Sequence, residues 1–431
     1  MPELFENLIH EIRHTQLEGL DLEGEVIFPN YQGLSLLNLP ASVCHWLSVE
    51  PFGAKPLAES LLKQIGGPFQ HVVLLLMDGL GLDLYQKMLA GNFGELEGDA
   101  SWQLISQQAL LAPLTSVVPS TTSAALTTLW TGKAPSEHGI IGYEVWLREY
   151  GMIANMIFHA PSVFFGETGS LRHAGFSPDT FLPVPTLGPH LVNQGVEVSA
   201  LMHSSILHSG LSEMHLPAVK QYPYRSTSDM LVTLRNLLNS KRNQKTYSYL
   251  YWSAIDTLSH RFGPEDERVL WELSAFGISL ERFLKEQKQH GCGDTLFLIL
   301  ADHGQIYTPP KEEFELQKHP EFLSHLMMVP TCENRLPFLF VRSGHENALL
   351  NYSKTVWPGQ FDLINGEKVL ESGVFGDYSS FPEIANRVGD YVVFPRRDHY
   401  WWWADKPNPL LGRHGGLNPQ EMLVPFLAIK L

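Results

Sequence analysis

Three stretches of the chain are apolar without interruption over the length of a strand. His71–Met77 (HVVLLLM), Tyr247–Ala254 (YSYLYWSA) and Thr295–Ala301 (TLFLILA) lack the in-out alternation of a strand with one wet face. Continuous runs of this kind predict strands covered on both faces, as in a mostly parallel sheet. Groups able to do chemistry follow each run closely. Asp78 follows the first, Asp256 and His260 lie in the IDTLSHRFGP segment after the second, and Asp302 and His303 follow the third. Sites in open α/β sheets collect outside the carboxyl ends of the strands, so three acid-bearing ends predict one crevice.

Helical patterns separate these runs. After Pro264, apolar residues recur at Leu270, Leu273, Phe276, Leu280 and Phe283, with Pro264 near the start and Gly291 at the end, which predicts a helix. Met230, Leu234, Leu237 and Leu238 predict another over TSDMLVTLRNLLNSK, and Leu4, Phe5, Leu8, Ile9 and Ile12 have helical spacing at the N-terminus. Two segments, about 144–185 and 305–375, are rich in Pro, Gly, His and aromatics and show no period. Within the second, RLPFLFVRSGHENALLNYSKTV predicts a strand and then a helix, while RVGDYVVFPRR and the closing MLVPFLAIKL predict further strands. The organisation expected is an N-terminal helical extension (1–30), an α/β core (31–304) with its central sheet sandwiched by helices, a small inserted cap (305–375) and a C-terminal part of the core (376–431).

Charge narrows the partners. Against 30 Lys and Arg stand 46 Asp and Glu, a net charge of −16, which argues against binding to a nucleic acid duplex or an anionic membrane. An anionic substrate must therefore meet local positive charge, and bound cations can supply it. The three cysteines, Cys44, Cys292 and Cys332, are too scattered for a disulfide framework or a thiolate zinc motif, and a cytoplasmic setting is expected. No apolar stretch has the form of a signal sequence or the length of a membrane span. Composition leaves the oligomeric state open.

Carboxylates and imidazoles from four separated segments are the candidates for metal binding: Asp78; Asp256 with His260; Asp302 with His303; and His414 in GRHGGLNPQEMLVPF. Such oxygen and nitrogen donors suit zinc and neighbouring divalent ions, and they outnumber the needs of one tetrahedral ion, so two metals are expected. Taken singly, each is weak, since one histidine among 19 is more often a surface or core residue. Four hydroxyls stand in a row at Ser120, Thr121, Thr122 and Ser123, just before SAALTTLWTG, whose apolar face and closing Gly132 predict a helix beginning there. Ser120 or Thr121 could simply cap that helix. That is the reading the run alone favours; the same helix start can also present N–H groups to a phosphoryl oxyanion while a neighbouring hydroxyl, activated by metal, acts as nucleophile. A dinucleotide-binding reading of DGLGLDL fails because Leu84 occupies the third glycine position. Glu137 and His138 are expected to shape a turn, Lys133 to be a solvated surface lysine, and Trp401, Trp402 and Trp403 to be core or rim aromatics.

In order and spacing, LLLMDGLG, VVPSTTSAALTTLWTGKAPSEHGIIGYE, SAIDTLSHRFGP, LADHGQ and GRHGGLNPQEMLVPF resemble the alkaline phosphatase superfamily, and within it the type I phosphodiesterase/nucleotide pyrophosphatase branch. The first 30 residues or so and the two irregular segments are unmatched. The resemblance implies an alkaline phosphatase-like fold with two divalent ions, zinc first and manganese as the alternative. It implies Asp256, His260 and His414 around one ion, and Asp78, Asp302, His303 and the nucleophile around the other. The nucleophile it implies is Thr122, nine residues before Thr131-Gly132. It further implies hydrolysis of phosphodiester or pyrophosphate bonds in a small phosphate ester or nucleotide-like substrate through a phosphothreonine. Ala125 departs from the side-chain amide that the resemblance implies at that position in nucleotide-cleaving members. Alternatives within the superfamily are a phosphomonoesterase, a phosphonate hydrolase, or a non-catalytic member that binds nucleotide or metal; a sulfatase is disfavoured by the absence of a Cys/Ser-x-Pro-x-Arg motif.

Overall fold

Six parallel strands and one antiparallel strand form the main sheet of the computed structural model, which describes residues 2–91, 97–163, 166–290, 293–379, 381 and 383–431. Across the sheet the order is Leu110–Thr115, Leu423–Lys430, Thr295–Leu300, His71–Met77, Thr246–Trp252, Glu197–His203 and Lys220–Tyr224. The three apolar runs are thus adjacent at its centre, and every residue of all three strands is buried. Their register explains the crevice. His71 pairs with both Thr246 and Thr295, and Leu76 with both Tyr251 and Leu300, so the three carboxyl ends finish at one level. Asp78 and Asp302 consequently emerge side by side. The closing strand Leu423–Lys430 runs antiparallel to both neighbours.

Helices cover the sheet as the periodicity predicts. Leu270, Leu273, Phe276, Leu280 and Phe283 of helix Glu267–His290 are buried, as are Met230, Leu234 and Leu238 of helix Thr227–Ser240, with Leu237 partly buried. The predicted stop at Gly291, and Cys292 after it, lie outside the described residues. At the N-terminus, helix Pro2–Arg13 buries Leu8 and Ile12 in the main core. Among the described residues no helix is long and apolar enough to cross a membrane, and Cys44 and Cys332 are buried free thiols.

A second, antiparallel sheet draws on both irregular segments. Its order is Phe361–Asn365, Tyr391–Pro395, Leu336–Leu339, Thr331–Glu333, Glu144–Leu147, Met152–Asn155 and Ala160–Pro161. Strands from either side of the 305–375 span therefore complete one layer, joined through the pairing of Cys332 with Glu144. Leu336–Leu339 and Tyr391–Pro395 are the strands predicted in RLPFLFV and RVGDYVVFPRR; the other strands, of two to five residues, carry too little alternation to be recognised from sequence. Trp401, Trp402 and Trp403 are buried in the apolar cluster beside this sheet, with Phe314, Phe322, Trp357 and Tyr400. They are core residues, and Trp401, with no exposed surface, offers no face for a base to stack on. Trp401→Ala should cost about 3–5 kcal/mol of stability, as large aromatic truncations in cores do, read as a lowered denaturant midpoint with activity per folded molecule retained.

Candidate active site

At the carboxyl ends of the central strands, seven residues (Asp78, Thr122, Asp256, His260, Asp302, His303 and His414) converge from five segments. Asp78 leaves the first strand with its backbone N–H bonded to Trp252 O (2.9 Å), and Gly79, at φ 77°, turns the chain sharply away. Glycine is required at 79, because a Cβ there would stand 2.9 Å from Asp256 Cα. Asp256 and His260 lie one turn apart on helix Ala254–Phe262 and meet through Oδ1 and Nε2 at 3.3 Å. Asp302 and His303 follow the third strand, where Asp302 Oδ1 accepts from the N–H groups of His303 (3.0 Å) and Gly79 (3.2 Å). His414 sits just after the short strand Gly412–Arg413 and stacks on His303, with ring centroids 3.8 Å apart.

Two overlapping clusters result. Asp78, Asp302 and His303 offer ligand atoms within 4.8 Å of one another, and so do Asp256, His303 and His414. His303 Nε2 is the shared corner, 3.5 Å from Asp78 Oδ1 and 3.5 Å from Asp302 Oδ2. His260 belongs to neither trio, although its Nε2 faces the same Asp256 oxygen.

The imidazoles are fixed for coordination. Nδ1 of His303 meets Gly304 O (3.1 Å), that of His414 meets Ser120 O (3.0 Å) and that of His260 meets Gly412 O (2.9 Å). A carbonyl only accepts, so each Nδ1 carries a proton and Nε2 is the ring nitrogen turned toward the cluster. The carboxylates fit a cation as well. Asp78 Oδ1 and Asp302 Oδ2 are buried without any hydrogen-bond partner, although buried polar atoms are nearly always satisfied. Among the described residues no lysine or arginine forms an ion pair with Asp78, Asp256 or Asp302. Burial, then the neighbouring Asp302 and Asp256 charges, pushes the Asp78 carboxyl well up, and burial likewise raises Asp302. Burial would also raise Asp256, but His260, His414 and His303 together pull it below the ordinary range. His414 is driven well down, by burial first and then by His303 and His260. Mixed oxygen and nitrogen donors in two adjoining groups constitute a candidate bimetallic site.

The hydroxyl run borders this site. Helix Thr122–Thr131 starts at Thr121 as N-cap, but no side chain caps it, so neither Ser120 nor Thr121 serves the capping role open to them from sequence. Each of the four hydroxyls has its own partner. Ser120 Oγ donates to Gly416 O (2.8 Å), Thr121 Oγ1 to Glu333 Oε1 (2.6 Å) and Ser123 Oγ to Gly142 O (2.8 Å). Thr122 Oγ1 alone of the four faces the candidate metal-binding groups, 3.1 Å from His303 Nε2. Ala125 is fully buried and carries no group to meet a phosphoryl oxygen.

Three contributors escaped the sequence reading. Tyr251, inside a strand, donates its hydroxyl to Asp78 Oδ2. Gln305 donates to Asp256 Oδ1 at 2.6 Å, and its position directly after DHG was the available signal. Glu333 arrives from the second sheet, and no local pattern marks it. Of the neighbouring residues weighed from sequence, Lys133 pairs with Glu137 (2.9 Å), and Glu137 Oε2 accepts from Ala134 N, fixing the turn. His138 is buried, bonded to Thr128 Oγ1 at 3.0 Å, and supports helix packing.

The family model for type I phosphodiesterase / nucleotide pyrophosphatase matches residues 72–342. No curated protein sequence matches the chain. Several solved structures share its fold. Murine ectonucleotide pyrophosphatase/phosphodiesterase 5, in an inactive form in complex with AMP, aligns at TM-score 0.61 and 16% identity, over 84% of this chain and 88% of that one. Its human counterpart aligns at 0.59 and 17%, over 83% and 87%. Phosphonoacetate hydrolase from Sinorhizobium meliloti, in complex with phosphonoformate, aligns at 0.57 and 15%, over 83% and 89%.

Proposed function

This chain belongs to the type I phosphodiesterase/nucleotide pyrophosphatase family of hydrolases, and from that premise we propose that it cleaves phosphodiester or pyrophosphate bonds of small molecules through a phosphothreonine at Thr122. The observation that carries this reading is that one hydroxyl of the run, Thr122 Oγ1, faces the Asp and His cluster, 3.1 Å from His303 Nε2 at an uncapped helix N-terminus. The AMP bound by the murine relative supports a nucleotide-like phosphate ester as one substrate class.

Asp78, Asp302, His303 and Thr122 would hold one divalent cation, and Asp256, His260 and His414 the other. Zinc is the first choice and manganese the second, given imidazole and carboxylate donors without thiolates. When bound, such a pair lowers the proton affinity of an adjacent hydroxyl and offsets charge on phosphoryl and leaving oxygens.

The chain's own residues do the rest. Thr122 Oγ1 gives up its proton to solvent and attacks phosphorus in line with the departing oxygen; a P–O bond to threonine forms as the P–O bond to the leaving group breaks, and the departing oxygen takes a proton from water. N–H groups in the uncapped first turn of the helix receive the phosphoryl oxygens. Tyr251 and Gln305 hold Asp78 and Asp256 in place throughout. Water then attacks the phosphothreonine from the vacated side, restoring the hydroxyl and releasing the phosphate product. Two in-line displacements leave phosphorus in its original configuration.

The test is a rate comparison on the metal-loaded chain with bis-p-nitrophenyl phosphate, p-nitrophenyl phosphate, a nucleotide pyrophosphate and phosphonoacetate. A diester or pyrophosphate should lead by about tenfold or more in kcat/KM. A lead for the monoester or the phosphonate would reassign the chain within the superfamily.

A further inference from the structure

Three of the four hydroxyls at the start of helix Thr122–Thr131 are tied down, and the ties differ in kind. Ser120 and Ser123 end on backbone carbonyls. Thr121 ends on a side chain, Glu333, supplied by the short strand Thr331–Glu333 of the second sheet.

The local backbone is arranged to admit that side chain. Cys332, just before it, holds φ 73°, in the left-handed region that a non-glycine residue occupies only at a cost in strain. Gly142 lies against it, and a Cβ there would stand 2.8 Å from Cys332 Cα. Gly415, next to His414, has φ 114°, and a Cβ there would stand 2.6 Å from Glu333 Cβ. Only glycine therefore leaves room for the glutamate stem. Glu333 Oε1 accepts a second bond from Tyr143 N (3.1 Å), joining the residue before Thr122 to the segment after Gly142. The same hairpin is anchored two residues on. Arg335 pairs with Glu421 (Nη2 to Oε2, 2.7 Å), whose Oε1 accepts from Gly416 N (2.9 Å) in the loop that carries His414.

We propose that Glu333 is a positioning residue for the hydrolysis: by holding Thr121 through its hydroxyl, it sets the first helical turn so that Thr122 Oγ1 faces His303 and the carboxylates. The inference rests on Thr122 being the nucleophile. What it requires of Glu333 is an acceptor at one point, not a charge. Burial pushes the carboxyl up to about 8, and both bonds fall on the one oxygen, Oε1. A glutamine side chain reproduces that arrangement, with the amide oxygen as acceptor.

Kinetics with the ester hydrolysed fastest in the comparison above provide the test, on the metal-loaded full chain and its variants Glu333→Gln, Glu333→Ala, Thr121→Val, Glu333→Ala with Thr121→Val, and Thr122→Ala. Glu333→Ala and Thr121→Val should each lower kcat roughly 10–100-fold with KM within about twofold, the pattern of a misplaced reacting group. Because both act on one contact, the double variant should lose no more than the worse single one. Glu333→Gln should keep kcat within about threefold of the parent. Unchanged kcat in Glu333→Ala, multiplying losses in the double variant, or Glu333→Gln as impaired as Glu333→Ala would overturn the proposal. Should Glu333→Ala not fold, Thr121→Val and Glu333→Gln decide it, since the first must lose kcat and the second must not. Full turnover in Thr122→Ala would overturn the nucleophile itself; loss there beside an intact Glu333→Ala overturns only the positioning role.

Discussion

Thr122→Ala should lower kcat by about a thousandfold or more while the chain keeps its fold and its full complement of metal. The expectation follows from the exclusiveness of the contact. Thr122 Oγ1 is the one hydroxyl of the run directed at the Asp and His groups, while Ser120, Thr121 and Ser123 donate elsewhere at 2.6–2.8 Å and cannot turn inward without leaving a partner unsatisfied. No neighbour can therefore substitute for it. Thr122→Ser, which restores a hydroxyl without the methyl group that limits χ1, should recover part of the rate. Rapid acid quench with labelled substrate should trap phosphate on Thr122 in the parent chain and none in Thr122→Ala. A variant that retains rapid turnover would return Thr122 to an ordinary first-turn residue.

The unevenness of what the sequence revealed has a physical origin. Asp78, Asp302 and His303 were legible because a fully buried parallel strand leaves an unbroken apolar run, and the residue after it must emerge at the sheet's edge. Asp256 and His260 were legible because they follow the second apolar run closely, and helix Ala254–Phe262 then brings their four-residue spacing onto one face. The choice of Thr122 among four hydroxyls came from family spacing; the structure adds a reason in the partners of the other three. Glu333, by contrast, reaches the site through tertiary pairing of Cys332 with Glu144, between segments remote in sequence. Nothing within a local window encodes such a contact. The same is true of the second sheet, whose short strands owe their pairing to one another more than to alternation of their own.

Asp302→Asn should change stability in opposite senses with and without metal. In the metal-free chain Asp302 Oδ2 and Asp78 Oδ1 are buried acceptors without donors, and an unsatisfied buried group costs about 1–3 kcal/mol. Asparagine keeps Oδ1 for the N–H groups of Gly79 and His303 and places an N–H₂ where Oδ2 was. That amide can donate toward His303 Nε2, 3.5 Å from Oδ2 in the parent. The metal-free variant should therefore unfold at higher denaturant than the metal-free parent. Acidity gives a second signature. Burial raises the carboxyls of Asp78 and Asp302 in the folded state, so the folded chain binds their protons more tightly than the unfolded one. Their contribution to stability is complete below the ordinary carboxylate value of about 4 and is lost as pH climbs through the raised folded values. With one of the two groups removed, that decline should be shallower. Metal reverses the order, because a ligand that binds only the folded state adds about 2.7 kcal/mol at a hundredfold excess over its Kd. The parent has the carboxylate to collect that gain, and the variant, lacking it, should bind metal more weakly and lose about a thousandfold in kcat. Denaturant titrations of both chains, with chelator and with saturating zinc, should show the two curves exchange places. Parallel shifts without a crossing would mean that Asp302 serves the fold and not a metal.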